Sequence, residues 1–134
     1  MKKILVAYDG TEPALHALDE AAELADAFAG AVTVVSVVPV HPGRVPVDPW
    51  DDHLTHQREL DSAVAHLAKK GVKADRLEPA GDPAPTIERI ALEGGFDTVI
   101  VGAHGKGAAT RFLQGSVSEH VATHSVGATV VIVH

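Results

Sequence analysis

The chain opens on a short apolar run, residues 3–8, which gives way to Asp9-Gly10-Thr11 and then Pro13. Proline suits the first turn of a helix, where the N–H it lacks would have had no partner, so strand, turn, helix is the predicted order. Ala14, Leu18, Ala21, Ala25 and Phe28 recur at helical spacing while Asp19, Glu20, Glu23 and Asp26 fall elsewhere, which predicts one buried face and a stop at Gly30. Residues 31–38 are nearly continuous valine, the pattern of a strand covered on both faces in a parallel sheet.

Residues 39–49 carry four prolines and a glycine and are expected to form a long loop, a candidate mobile flap. A second helix is predicted over 50–70 from Leu60, Ala63, Val64 and Leu67, ended by Gly71, and a weaker third strand over 72–78. Asp82 then reads as a cap and Pro83 as the first residue of a helix through Ile87, Ile90 and Ala91 that stops at Gly94-Gly95. Residues 98–101 give the fourth strand. Ser116-Val117-Ser118-Glu119 fits a capping box, so a fourth helix should start at Ser116 and end near Gly127, before a fifth strand over 129–133. Regular alternation of strand and helix without internal repeats predicts an α/β protein: one domain over 1–134, an open, doubly wound parallel sheet with helices on both faces.

Composition narrows the functional classes. The 134 residues suffice for one domain with a substantial core, and no apolar stretch approaches the roughly 18 residues of a membrane span. The first apolar run is too short for a signal-peptide core and leads into Asp9, so a cytoplasmic protein is expected. Cysteine is absent, which removes disulfides, thiolate metal sites and a cysteine nucleophile. A formal net charge of −7, with no cluster of basic and aromatic residues, argues against a nucleic acid partner. His53 and His56 lie at a spacing that permits shared metal ligation, but no third ligand is evident in the sequence. They also share a helical row with Leu60, Ala63 and Leu67, which makes them partly buried or interface histidines.

In doubly wound sheets ligands bind beyond the carboxyl ends of the strands, where connections leave toward opposite faces. Asp9 ends the first strand. Gly102-Ala103-His104-Gly105 ends the fourth and is followed, nine residues on, by Gly115-Ser116 at a helix start. Glycines let the main chain approach an oxyanion closely, and free N–H groups with the dipole at a helix start favour negative charge. The pattern predicts a phosphate cradle. Ser116 and Ser118 hydroxyls would donate to phosphate oxygens, and His104, Lys106 or Arg111 would neutralise charge. Asp9, itself an anion, would accept from sugar hydroxyls or stand near a metal ion such as Mg²⁺. Asp97 precedes the fourth strand and belongs at the far end of the sheet.

Gly102-x-x-Gly105, nine residues, Gly115-Ser116, together with Val6-Ala7-Tyr8-Asp9-Gly10 and Gly81-Asp82-Pro83, resembles the universal stress protein family over essentially the whole chain. The resemblance implies a Rossmann-like fold of the adenine nucleotide α-hydrolase type with strand order 3-2-1-4-5. It also implies the ATP-binding branch: Asp9 at the ribose, main chain near Val37 at the adenine, and Gly102, Gly105, Gly115, Ser116 and the adjoining Val117 at the phosphates, with ATP, AMP or another adenine nucleotide as ligand. A homodimer through the last strand, Val130, Val131, Ile132 and Val133, is implied as well. Two departures stand out: Ala103 replaces a frequent serine or threonine, and residues 126–129 lack a frequent cysteine-proline pair.

Three functions compete: a nucleotide-responsive binding protein in stress physiology, a slow ATP hydrolase, and a nucleotide-free interaction module. Lys106 lacks the spaced glycine before it and the Ser or Thr after it that a P-loop requires, and no base-and-nucleophile pair is evident, which favours binding over turnover.

Overall fold

The computed structural model describes residues 1–39, 49–103 and 127–134. Its elements are β1 (Lys3–Ala7), α1 (Glu12–Phe28), β2 (Ala31–Val35), β3 (Val38–Pro39), α2 (Pro49–Lys69), β4 (Ala74–Leu77), β5 (Ala80–Gly81), α3 (Pro83–Glu93), β6 (Thr98–Gly102) and β7 (Thr129–Val133). Five strands form one parallel sheet in the order β4-β2-β1-β6-β7. Numbered among themselves, these strands run 3-2-1-4-5, as expected. The short β3 and β5 pair separately, also in parallel.

The period of two along each strand divides the core. Ile4, Val6, Tyr8, Val32 and Val34 face α1 and α2, where they meet Leu18, Leu60 and Leu67. Leu5, Val35, Val99 and Val101 face the other way, onto Ile87 and Ala91 of α3. Helices thus cover both faces, which is why the central strands are valine-rich throughout rather than alternating. The predicted row on α2 holds: Leu60, Ala63 and Leu67 are fully buried, and each leucine contributes about 1.5–3 kcal/mol by leaving water.

Four local differences from the sequence reading have physical causes. Helix α1 ends at Ala29, the residue in the left-handed region at φ 53°, rather than at Gly30. Gly30 is needed for a different reason, since a Cβ there would lie 2.6 Å from the Met1 carbonyl oxygen. Phe28, predicted on the buried face, is 47% exposed, because the helix has passed the edge of the sheet. The valine run breaks at Ser36-Val37, dividing the predicted strand into β2 and β3. Asp82 occupies the N-cap position of α3, but its side chain makes no capping hydrogen bond. The segment 40–48 and the predicted fourth helix lie outside the described residues.

Candidate functional site

Connections from β1 lead through α1 to β2, while β6, on the other side of β1, continues to β7. The order reverses between β1 and β6, and in sheets of this kind it is beyond the carboxyl ends at such a switch point that a crevice forms. Asp9 stands directly after β1, and Gly102 closes β6.

Asp9 serves two purposes with its two oxygens. Oδ1 accepts from the Thr11 amide at 3.1 Å and the Thr11 hydroxyl at 2.5 Å, fixing the turn that leads into α1. Thr11 in turn caps the helix, its hydroxyl oxygen accepting from Ala14 N at 3.4 Å. Oδ2 is buried and has no hydrogen-bond partner among the described residues. A buried carboxylate oxygen without a donor is costly, so this atom is suited to a ligand that brings one. Burial pushes the Asp9 carboxyl above the ordinary range, against the hydrogen bonds from Thr11 and a smaller favourable effect of charge on His56.

Val37 lies where the valine run breaks. Ser36 N donates to Leu77 O at 3.0 Å and Val38 N to Pro79 O at 2.8 Å, both away from β1. Alternation along an extended chain turns the Val37 N–H and C=O toward β1, whose last bond to this strand is Tyr8 N to Val35 O at 2.9 Å. Among the described residues no backbone group pairs with Val37. Among the described residues the strand break therefore leaves a peptide edge of one donor and one acceptor without a backbone partner, facing the side of β1.

Gly102 is a glycine for a reason the sequence does not reveal: a Cβ there would meet Ala14 N and the Pro13 carbonyl carbon at 3.0 Å. Strand β6 thus runs hard against the first turn of α1, bringing that helix's positive end to the crevice. Ala103 is buried and bonded to Val133 O at 2.7 Å. The remaining predicted contacts, His104, Gly105, Arg111, Gly115, Ser116, Val117 and Ser118, lie outside the described residues.

Helix α2 supplies what sequence reasoning missed. Glu59 packs on Gly10, its Oε1 3.2 Å from where a Cβ would stand. Its carboxyl is pushed up by burial and then by the neighbouring Asp9 charge, against a hydrogen bond with Ser36. His56 Nδ1 lies 2.6 Å from Ser36 Oγ and 3.5 Å from Glu59 Oε2. Tyr8, buried below, has its hydroxyl raised by desolvation and by Glu59 and Asp9. His56 is partly buried, as its helical row implied. Glu59, three residues on, falls on the same stripe, and its position one residue before Leu60 is the signal that could have found it. Among the described residues no three His, Cys, Asp or Glu side chains are grouped to hold a metal ion.

The profile of the Universal stress protein family matches residues 1–134. The chain belongs to this family. Universal stress protein MJ0531 of Methanocaldococcus jannaschii is 31% identical over 127 residues, covering 90% of this chain and 75% of its own. A solved universal stress protein from Burkholderia pseudomallei is 31% identical with a TM-score of 0.77, over 98% of this chain and 95% of that one. The universal stress protein from Archaeoglobus fulgidus in complex with dAMP superposes with a TM-score of 0.79 at 23% identity, covering 100% of this chain and 98% of its own, a likeness of fold.

Proposed function

We propose that this chain is an adenine nucleotide-binding universal stress protein, with ATP as its ligand and binding rather than turnover as its function. The observation that carries the reading is the pair of unsatisfied polar edges at the crevice: Asp9 Oδ2, buried without a donor, and the unpaired peptide of Val37. A ribose hydroxyl satisfies the first and an adenine edge the second. The phosphates then run past Gly102 toward Gly105, Gly115 and Ser116, with His104, Arg111, Val117 and Ser118 around them and Mg²⁺ as counterion. The dAMP complex of the Archaeoglobus relative supports an adenine nucleotide as the ligand class. In a cytoplasmic setting such a protein would report nucleotide level during stress.

Mass spectrometry of denatured protein for co-purified nucleotide, followed by calorimetric titration with ATP and AMP, tests this directly. Failure to bind any adenine nucleotide in folded protein overturns it. Phosphate release beyond one turnover with excess ATP and Mg²⁺ would replace binding with hydrolysis. Gly115→Val is expected to block the ligand and leave the fold intact.

The same reading includes a homodimer through β7, the outer strand of the sheet. Thr129 N donates inward to Asp97 O at 2.9 Å, so Val130 and Ile132 present their N–H groups outward. Ile132 is 40% exposed, and an apolar edge of this kind invites pairing with a second copy. Ile132→Pro removes one outward donor and is expected to yield a monomer by light scattering.

A further inference from the structure

The contacts of α2 bear on both halves of a nucleoside, and they do so from a single helical turn. His56 reaches Ser36 Oγ at 2.6 Å, and Ser36, 1% exposed, immediately precedes the unpaired Val37 peptide. Glu59 packs on Gly10, which immediately follows Asp9. The turn bearing both is held down by Leu60, Ala63 and Leu67, all fully buried, so its position is set by the core rather than by a ligand. A buried hydroxyl needs its partner, and the strength of that need is what lets His56 fix the Ser36 side chain and the peptide after it.

We infer that His56 and Glu59 are the specificity-determining residues of the nucleoside end, His56 positioning the Val37 peptide through Ser36 and Glu59 positioning the Asp9 turn through Gly10. The inference rests on the nucleotide-binding reading above and adds to it which residues choose the base and the sugar. On the base side, Ser36 N and Val38 N are held from the β4 flank by Leu77 O and Pro79 O. His56 supplies a further restraint through the Ser36 hydroxyl, so that the Val37 N–H and C=O present a fixed donor and acceptor pair. Adenine and guanine exchange donor and acceptor at the six-position, and a fixed peptide edge tells them apart where a loose one does not. On the sugar side, Glu59 lies beside Gly10, its Oε1 3.2 Å from where a Cβ there would stand, with His56 Nδ1 3.5 Å from its Oε2 and a hydrogen bond to Ser36. Asp9 is thereby kept at one distance from the sugar, where loss of a single hydroxyl is felt.

The test is calorimetric titration of the full chain with ATP, GTP, 2′-deoxy-ATP and inorganic tripolyphosphate, with circular dichroism confirming that each variant is folded. His56→Ala is expected to reduce the ratio of ATP to GTP affinity by about tenfold, the worth of one lost charged or buried hydrogen bond, while leaving tripolyphosphate unaffected. His56→Asn carries a polar atom near the place of Nδ1 and should restore most of that ratio, and adding Ser36→Ala to His56→Ala should cost nothing more. Glu59→Gln should narrow the ratio of ATP to 2′-deoxy-ATP and leave the base ratio alone. A purely structural role would weaken all nucleotides alike, so unchanged ratios in folded His56→Ala and Glu59→Gln overturn the inference while nucleotide binding stands. Absence of nucleotide binding in the unsubstituted protein overturns the parent reading and this one with it.

Discussion

Two aspartates stand at opposite ends of neighbouring strands. Asp97, just before β6, has its oxygens engaged from several sides: Thr98 Oγ1 donates at 2.7 Å, Lys2 N at 2.8 Å and Lys3 N at 3.1 Å, and the N-terminal ammonium is 3.9 Å away. Those donors, the threonine hydroxyl foremost, hold its carboxyl below the ordinary range. Asp9, just after β1, keeps one oxygen unpaired and is pushed the other way by burial. The amino end of the sheet is therefore finished as a structure, tying β1 to β6, while at the carboxyl end one oxygen of Asp9 has no partner among the described residues.

The largest effect should come from a residue that breaks this division. Gly102 stands at the carboxyl end of β6, where its lack of a side chain is required by Pro13 and Ala14. Gly102→Val should destabilise the protein by about 3 kcal/mol through overpacking against backbone, measured by urea unfolding without nucleotide. An unchanged midpoint would mean that α1 yields easily and that the glycine serves the ligand alone. Next comes Asp9→Asn, which keeps an acceptor for Thr11 but loses the charge. Nucleotide affinity should fall by about ten- to a hundredfold, in line with a charged hydrogen bond of about 1.5–3 kcal/mol, while stability at neutral pH holds or rises because a buried charge is gone.

Asp97→Asn should do the reverse, costing about 1 kcal/mol of stability, given its partial exposure, with no change in nucleotide affinity. The pH dependences are also opposed. Asp97 titrates lower in the folded chain, so its contribution is present above the unfolded carboxyl value of about 4 and is lost as pH falls through the folded value. Asp9 titrates higher when folded, so the unfolded chain gives up its proton first and stability declines as pH rises from about 4 to the folded value. Stability measured between pH 3 and 7 should lose its acid-side slope in Asp97→Asn and its opposing slope in Asp9→Asn. Parallel curves for the two variants would refute the contrast.

How much of this contrast the sequence discloses depends on the range of the interaction. The parallel sheet and the helical rows follow from local periodicity, the strand order follows from the resemblance to the family, and Asp97 could be assigned to the far end simply because it precedes a strand. Asp9 stands out as a candidate because it ends β1 before a glycine. What escaped was non-local. The pressure of α1 on Gly102 and of Glu59 on Gly10 arises between segments dozens of residues apart, and Glu59 looks like one more surface charge until the helix is docked. The break at Ser36-Val37 was hidden because a run of β-branched residues reads as uninterrupted strand, although the backbone pairing with β1 ends there at Tyr8 N to Val35 O.

A third aspartate sharpens the comparison at the small end of the scale. Asp19 on α1 accepts from His66 Nε2 at 2.6 Å and lies 3.2 Å from Lys70 Nζ, and the His66 hydrogen bond foremost holds its carboxyl low, as donors do for Asp97. Unlike Asp97, it joins two helices at the protein surface rather than two strands, and its side chain is 40% exposed. Water competes for every partner there, and the long lysine side chain loses freedom on pairing, so the direction of the pKa shift carries little free energy. Asp19→Asn should cost about 0.5 kcal/mol at neutral pH in dilute buffer, and most of that loss should vanish in about 1 M salt, where the screening length is near 3 Å. Asp97→Asn, whose loss is mainly of hydrogen bonds from the Thr98 hydroxyl and the Lys2 and Lys3 amides, should keep most of its cost in the same salt. Equal salt sensitivity in the two variants would show that the amino end of the sheet is held by charge and not by its backbone donors.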